Sequence, residues 1–242
     1  MDGDFKPLLK EPTYLKVCRA IEEKITSGAL RNGDPIPTEA ELCAQFAVTR
    51  STVREGIRLL EQTGLVARGP GKRLFVTRPE IGDIAAATSR SLSLGGATFQ
   101  EVWESLAVAY PPAARMAAGR LNEAAVSRLR EINAGLVNAD DADSEVVVSG
   151  AVAFFHEIAA GLGNRVMLAM LDSLNFMIEA SLRQIIEKAP RARARIVEAQ
   201  ARIIDAFAAK DGDTTEQWMR RHIDDIARGC EVAGVNLDAP VL

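Results

Sequence analysis

The chain has 242 residues, 48% hydrophobic and 26% charged, a composition that excludes a disordered chain and allows two domains with separate cores. No long apolar run occurs and the N-terminus, Met1-Asp2-Gly3-Asp4, is acidic, so we expect no membrane span, no secretory leader and a cytosolic location. Positive charge is concentrated in residues 1–78, where 13 Lys and Arg against 10 Asp and Glu give +3, while the remaining 16 against 23 give −7. A polyanion would therefore bind the N-terminal part.

Three short helices followed by a hairpin are predicted in the first 78 residues. Thr38 and Glu41 form a capping box directly after a Gly/Pro-rich stretch that forbids helix. Glycines end the first and third helices. We predict helices from Thr13 to about Gly28, from Thr38 to about Ala47 and from Thr49 to Gly64, then strands over 65–68 and 73–76.

The third of these helices has two different faces. Arg50 and Arg54 lie four residues apart and project from one face. Val53, Ile57 and Leu60 recur on the opposite face and are expected to pack. A guanidinium can bond the guanine edge or a phosphate, and the short connection to the second helix is typical of a helix-turn-helix that enters the major groove. An ordinary solvated helix face is the alternative that this segment alone leaves open.

The hairpin that follows has a basic tip. Its two short strands flank the turn Gly69-Pro70-Gly71-Lys72. Glycine and proline at these positions are typical of a tight connection between antiparallel strands. The segment therefore predicts a wing beside the helix-turn-helix.

Short motifs across residues 14–78 resemble the winged helix-turn-helix domain of GntR-type bacterial transcription regulators. They are Gly33-Asp34, Pro37-Thr38-Glu39, Glu41-Leu42, Val48-Thr49-Arg50, Val53-Arg54-Glu55, Leu59-Leu60-Glu61, Gly64-Leu65-Val66 and Gly71. The resemblance implies that the arginines contact bases or their phosphates, that the neighbouring hydroxyls grip the backbone and that the wing enters the minor groove. Some relatives carry Arg where this chain has Ala40, so one of their DNA contacts should be absent. The implied DNA-binding residues are Thr49, Arg50, Ser51, Thr52, Arg54, Gly71, Lys72 and Arg73.

After residue 78 the chain lacks strand alternation and consists of successive helical patterns. We predict six or seven helices in an antiparallel bundle, over 81–94, 98–119, 122–137, 146–160, 165–188, 191–210 and 213–233, with an acidic turn at 140–143. Local signals mark two of them: a capping box at Thr98 with Glu101 and a kink at Pro111 and Pro112 in the second helix, and a capping box at Asp213 with Glu216 in the last. The predicted fold class is thus mainly α, with a winged helix-turn-helix domain at 1–78 and an all-helical domain at 79–242.

The helical part resembles the ligand-sensing FCD domain of the FadR branch of GntR-type regulators. The motifs are Glu101-Val102-Trp103-Glu104, Ala113-Ala114-Arg115-Met116-Ala117-Ala118, Phe155-His156-Glu157-Ile158 with Gly163-Asn164, and Met219-Arg220-Arg221-His222-Ile223. In many such relatives an Asp and three His hold a divalent metal that helps to bind a small carboxylate effector. The resemblance implies effector binding and dimerisation for residues 79–242.

The metal positions of this family are only half retained. The Asp position falls on Val152 and one His position on Gln200, whereas His156 and His222 occupy the other two. Valine cannot ligate and an amide is a poor substitute for imidazole, so a two-histidine site would bind zinc or nickel weakly unless a carboxylate from elsewhere completed it. We expect the two histidines to be polar pocket groups or core residues, with a divalent metal as the alternative.

A second departure concerns the effector. Relatives place an Arg and a Glu at positions that correspond to Leu106 and Tyr110. Without that Arg, a small dicarboxylate or hydroxy acid has little to neutralise it in a buried cavity. We therefore expect a less charged, bulkier or more apolar effector. The candidate lining residues, each of which can also be simple core, are Leu106, Tyr110, Val152, His156, Asn175, Gln200 and His222.

The features together favour a homodimeric DNA-binding transcription regulator, which binds a double-stranded operator and is controlled by a small effector. Repression relieved by the effector is the commoner outcome in such relatives, so we expect a repressor, with an activator as the alternative. A hydrolytic enzyme is disfavoured because HExxH, Gly-x-Ser-x-Gly and phosphate-binding glycine motifs do not occur. The three cysteines are isolated, which disfavours disulfides and a thiolate zinc site. The remaining alternative is a DNA-binding regulator that has lost metal and effector sensing.

Overall fold

The computed structural model describes residues 11–139, 144–189 and 191–241. The chain divides into two compact units, Met1–Glu80 and Ile81–Leu242. The acidic turn predicted at 140–143 lies outside the described residues. Among those described, no helix has the length and apolar character needed to cross a bilayer.

The N-terminal unit is a three-helix fold with a two-stranded wing, as predicted. Its capping box forms, because Thr38 accepts from the Glu41 backbone N–H and the Glu41 carboxylate accepts from that of Thr38 at 2.7 Å. Apolar side chains from all three helices and both strands pack into one core. The elements are α1 (Thr13–Thr26), α2 (Glu39–Phe46), α3 (Arg50–Gln62), β1 (Val66–Arg68) and β2 (Leu74–Val76), with a 3-10 turn at Pro70–Lys72.

Helix α3 lies unusually close to α1 at Gly56. A Cβ atom at this position would lie 3.0 Å from the carbonyl oxygen of Tyr14 and 3.1 Å from a methyl carbon of Val17. Only glycine allows this approach without a shift of the α1 backbone. The contact fixes α3 on its apolar side and leaves the side that carries Arg50 and Arg54 exposed.

The wing is extended by a segment that precedes α2. Strands β1 and β2 pair antiparallel, with Val66 opposite Val76. The Ile36 backbone N–H donates to the Leu74 carbonyl oxygen at 2.8 Å. The base of the wing is thereby tied to the segment that leads into α2. At its tip Gly71 has φ +70°, a left-handed conformation that favours glycine.

The C-terminal unit contains seven helices in its described residues. They are α4 (Ile81–Leu94), α5 (Phe99–Ala118), α6 (Glu123–Asn138), α7 (Ser144–Gly161), α8 (Arg165–Lys188), α9 (Ala192–Ala208) and α10 (Gly212–Ala233). The capping box of Thr98 and Glu101 forms as predicted. Both prolines lie inside α5, which continues through them as one helix to Ala118.

The predicted cap of the last helix is wrong by two residues. Asp211, not Asp213, caps α10, accepting from the Thr214 backbone N–H at 3.0 Å. Asp213 lies in the first turn and pairs with Arg115 of α5. Because Asp211 and Asp213 both lie at the start of this helix, the sequence pattern alone did not distinguish the cap from its neighbour.

Candidate nucleic-acid interface and effector cavity

The start of α3 is organised by hydroxyl groups. Thr49 caps the helix, accepting from the Thr52 backbone N–H at 3.3 Å. Its hydroxyl also lies 2.9 Å from the Ser51 hydroxyl and 2.8 Å from that of Thr52. The three predicted backbone-gripping residues thus form one local network at a helix N-terminus, where backbone N–H groups and the helix dipole favour a phosphate.

Arg54 forms an ion pair with another residue of the N-terminal unit. Its Nε donates to Glu39 of α2 at 2.8 Å, and this bond holds the pKa of the Glu39 carboxyl below its ordinary value. The Arg54 side chain nevertheless remains 66% exposed. Only one of the five guanidinium N–H groups is needed for this bond, so the terminal nitrogens keep donors for a nucleic acid. Glu39 therefore sets the direction of the guanidinium.

A cleft of about 350 Å³ lies between the starts of α2 and α3 and the wing. Arg50, Gly71 and Arg73 line it together, so the structure brings the helix and wing predictions to one surface. Arg68, which the sequence analysis did not single out, also lines this cleft and pairs with Glu61 at 2.9 Å. Ala40 is part of the same lining, at the position where some relatives carry Arg.

In the helical unit a chain of hydrogen bonds runs from a buried tyrosine to the surface. The Tyr110 hydroxyl donates to the Asn175 amide oxygen at 2.6 Å, and the Asn175 amide nitrogen donates to Asp172 at 3.0 Å. Asp172 in turn lies 2.9 Å from Nδ1 of His156. This hydrogen bond raises the pKa of His156 above its ordinary value, although partial burial opposes it. Tyr110, Asn175 and His156 are thus connected through Asp172, which the sequence analysis did not select.

His222 occupies a different environment from His156. Its ring is stacked on Phe155, with centroids 5.3 Å apart and planes at 9°. Both ring nitrogens are buried without a hydrogen-bond partner in the described residues, as are both amide atoms of Gln200 on α9. Burial lowers the pKa of His222 to about 4, so the ring is neutral near pH 7. Because buried polar atoms are almost always hydrogen-bonded, the two orphaned nitrogens of His222 indicate that a polar group belongs next to this ring.

The residues present do not fit the metal site that the family resemblance implies. The His156 side chain is 55% exposed and bonded to Asp172, whereas His222 is fully buried against Phe155. Val152 lies one turn before His156 and is only half-buried. Among the described residues, no group of three or more His, Cys, Asp or Glu has the arrangement to hold a metal ion. The α7 side chain stacked on His222 is Phe155, whose hydrocarbon ring cannot ligate a metal.

A cavity of about 340 Å³ lies between α8, α9 and α10. His222 is the only one of the seven candidate effector residues that lines it. Leu106, Tyr110 and Gln200 are buried elsewhere in the unit without lining the cavity, and Val152 is partly buried against the hydrophobic core. The lining residues are Leu182, Ile185, Ala189, Arg191, Ala192, Arg195, Ile196, His222, Asp225, Ile226, Arg228, Gly229 and Val232. The sequence signal that indicates this lining is the spacing of His222, Ile226 and Gly229 along α10, which follow one another at i, i+4 and i+7 and so share one face of the helix.

A winged helix-turn-helix unit with exposed arginines on its third helix, together with a helical unit that contains a polar-ended cavity, defines a DNA-binding regulator with a ligand-sensing domain. Residues 13–76 match the family described as bacterial regulatory proteins, gntR family, and residues 111–225 match the FCD domain. The chain belongs to the GntR-type transcription regulators that carry an FCD domain.

Individual relatives agree with this assignment. The chain is 25% identical over 233 residues to the HTH-type transcriptional repressor NanR of Escherichia coli, covering 92% of this chain and 86% of that protein. It is 45% identical over 82 residues to the histidine utilization repressor of Klebsiella aerogenes, but spans only 34% of that protein. The Streptococcus agalactiae GntR structure matches with a TM-score of 0.64 at 20% identity, covering 89% of this chain and 99% of that one, which shows a shared fold.

Proposed function

We propose that this protein is a homodimeric transcription repressor that acts in the cytoplasm, binds a pseudo-palindromic operator and releases it when a small effector occupies the helical unit. The observation that carries the DNA-binding part is the placement of Arg50, Gly71 and Arg73 around one cleft, with Arg54 braced beside it by Glu39. A helix with exposed arginines fits the major groove, and a basic wing fits the adjacent minor groove.

An apolar groove on the helical unit supports dimerisation. Side chains of α4, α5 and α8 line it, including Ile84, Leu92, Val108 and Met170, and Val108 is 77% exposed. A contiguous exposed apolar surface of this kind marks an interaction site. A second copy is the occupant we propose, because two recognition helices about 34 Å apart read matching half-sites of an operator.

The sign of control and the absence of catalysis rest on the relatives. NanR of Escherichia coli and the histidine utilization repressor of Klebsiella aerogenes are both named repressors, which favours repression here. The family contains transcription regulators, so we propose that the protein is not an enzyme. An effector that changes the separation of the two recognition helices would lower operator affinity, because the helices would no longer match the half-sites.

The DNA contacts are tested on operator fragments selected from random duplexes by the purified protein. We expect Arg50→Ala to weaken the free energy of operator binding by about 1 to 3 kcal/mol and to relax base preference. Lys72→Ala should instead weaken binding equally for all DNA sequences and reduce the slope of log affinity against log salt concentration by about 1. Arg19→Ala is the matched control, since Arg19 is similarly exposed in the same unit but lies on α1. Unchanged titrations for Arg50→Ala and Lys72→Ala would refute the assignment.

A regulator that no longer senses an effector is the competing proposal. The cavity beside His222 favours retained sensing, because a domain without a ligand has no need for unpartnered polar atoms next to an open cavity. Release of the protein from its operator by a compound that also binds the isolated full-length protein would decide in favour of sensing. Operator binding that no cavity ligand changes would decide for the alternative.

A further inference from the structure

We infer that the cavity between α8, α9 and α10 binds a monocarboxylate with an apolar body and a hydroxyl group at the end opposite the carboxylate. This inference rests on the proposed function, because it names the effector class of a regulator that has a sensing domain. It requires no metal. Three parts of the cavity carry it: the wall, the inner end and the mouth.

The wall of the cavity is apolar. Leu182 and Ile185 of α8, Ile196 of α9 and Ile226 of α10 are buried and contribute to it. A volume of about 340 Å³ is at the lower end of the range for small-molecule sites. A second or third carboxylate on the ligand would lie among these side chains without a partner, at a large desolvation cost. The wall therefore selects an aromatic or aliphatic body and disfavours a compact polycarboxylate.

The inner end of the cavity offers a neutral imidazole. His222 is buried there and both of its nitrogens lack partners in the described residues. A neutral imidazole has one donor and one acceptor, and a hydroxyl group also supplies both functions. In this conformation the nitrogens are closed to solvent, so the ring must turn toward the cavity for a ligand hydroxyl to reach one of them. Such a bond would satisfy an atom that is otherwise orphaned.

The mouth of the cavity is cationic. Arg191, Arg195 and Arg228 are exposed and line it, against the single carboxylate of Asp225. Asp225 lies 2.9 Å from Arg228 and 3.8 Å from Arg195, which leaves a net charge of +2 from three guanidiniums and one carboxylate. Exposed arginines bind a carboxylate in a bidentate geometry without removing it from water. One carboxylate at the mouth is thus neutralised.

The spacing along α10 sets the length of the ligand. Arg228, one of the cations at the mouth, lies six positions after His222, which corresponds to about 9 Å along a helix that rises 1.5 Å per residue. A hydroxyphenyl or hydroxyalkyl chain of intermediate length spans that distance. We therefore choose 3-(4-hydroxyphenyl)propanoate and 8-hydroxyoctanoate as probes. Their counterparts are 3-phenylpropanoate, which lacks the hydroxyl, the methyl ester of the first probe, which lacks the charge, and citrate.

Calorimetric titration of the full-length protein is the primary test, because it does not depend on DNA. We expect at least one hydroxy acid to bind, with about tenfold weaker binding for the probe without hydroxyl and for the ester. His222→Phe should weaken the hydroxy acid about tenfold but leave 3-phenylpropanoate unchanged. Arg195→Ala combined with Arg228→Ala should weaken both acids but not the ester. Arg220→Ala, an exposed residue of α10 outside the cavity, is the control.

The outcomes separate this inference from the proposed function. No binding of either hydroxy acid at millimolar concentration, citrate binding tighter than both, or affinities unchanged by the cavity variants would overturn the inference. Operator binding by the unliganded protein, measured separately, would then still support the proposed function. Failure of the unliganded protein to bind any selected duplex would instead refute the proposed function, whatever the titrations show.

Discussion

The buried imidazole of His222 predicts a specific pH dependence of stability. Its pKa is about 4 in the folded chain, because burial penalises the charged form, against about 6.5 in an unfolded chain. Between these values the unfolded state binds more protons than the folded state, so stability falls as the pH falls. At 1.36 kcal/mol per pKa unit, protonation across the interval between the two pKa values lowers the free energy of unfolding by about 3 kcal/mol in total. About 2 kcal/mol of this is lost by pH 5.

His222→Phe isolates this effect from all other titrations. Phenylalanine retains an aromatic ring that can stack on Phe155 and cannot be protonated. All other titrating groups are common to both proteins, so their contributions cancel in the difference between the two unfolding free energies. One of them is His156, whose raised pKa gives stability a pH dependence of the opposite sign. The unfolding free energy of the wild type minus that of the variant should therefore fall by about 2 kcal/mol between pH 7 and pH 5.

The measurement is urea unfolding followed by tryptophan fluorescence at pH 7, 6 and 5. Both tryptophans of the chain, Trp103 and Trp218, belong to the helical unit, so the signal reports on that unit alone. His156→Gln should leave most of the decrease in place. A difference between wild type and His222→Phe that does not change with pH would refute the buried, neutral state of His222.

Two further predictions concern the DNA-binding and dimer surfaces. Glu39→Gln should raise affinity for non-operator duplex and lower the ratio of operator to non-operator affinity by about fivefold, or about 1 kcal/mol, because Arg54 loses both its ion-pair partner and the nearby negative charge. Gel-shift titrations against both duplexes measure this ratio. An unchanged ratio would show that the ion pair has no role in specificity. Val108→Glu should convert the protein to monomers and weaken operator binding at least tenfold, since a charge would be buried in the apolar groove. Analytical ultracentrifugation measures the mass, and Val137→Glu, at an exposed position of α6, is the control. A dimer that persists in Val108→Glu would place the interface elsewhere.

The parts of the fold that sequence could predict depend on interactions between near neighbours. Two capping boxes join residues three apart, at Thr38 and at Thr98, and both form as expected. The ion pair of Arg54 with Glu39 joins residues 15 apart, and the two side chains meet only because α2 packs on α3. The effector cavity depends on three helices at once. No periodicity within one helix can reveal that three helices leave a space between them.

The placement of the histidines could not be predicted for a related reason. Successive residues on a helix point about 100° apart, so an error of one position moves a side chain from the core to the surface. The family motif assigns the facing positions of α7 to Val152 and His156. In the structure Ala151 and Phe155 are buried, and Phe155 is stacked on the His222 ring, with Phe154 edge-on to it. The structure therefore indicates a register one residue earlier than the motif.

This register has a direct test in two matched variants, one triple and one double, each designed to present the family's Asp and three His. Ala151→Asp, Phe155→His and Gln200→His would complete a site with the native His222 on the buried face. Val152→Asp with Gln200→His, which keeps the native His156, follows the motif register instead. Since zinc needs its ligands converged within about 2.1 Å of one point, we expect near-stoichiometric zinc in the first variant only.

The comparison requires that both variants fold, which far-ultraviolet circular dichroism and tryptophan fluorescence establish before metal analysis. The native chain, stripped with a chelator and then dialysed against zinc, supplies the baseline, and its two dissimilar histidines should retain less than one equivalent. Zinc retained by the motif-register variant and not by the other would mean that His156 turns into the bundle in solution. Its hydrogen bond to Asp172 would then have to break, and the register inferred from the stacked Phe155 and His222 rings would be wrong.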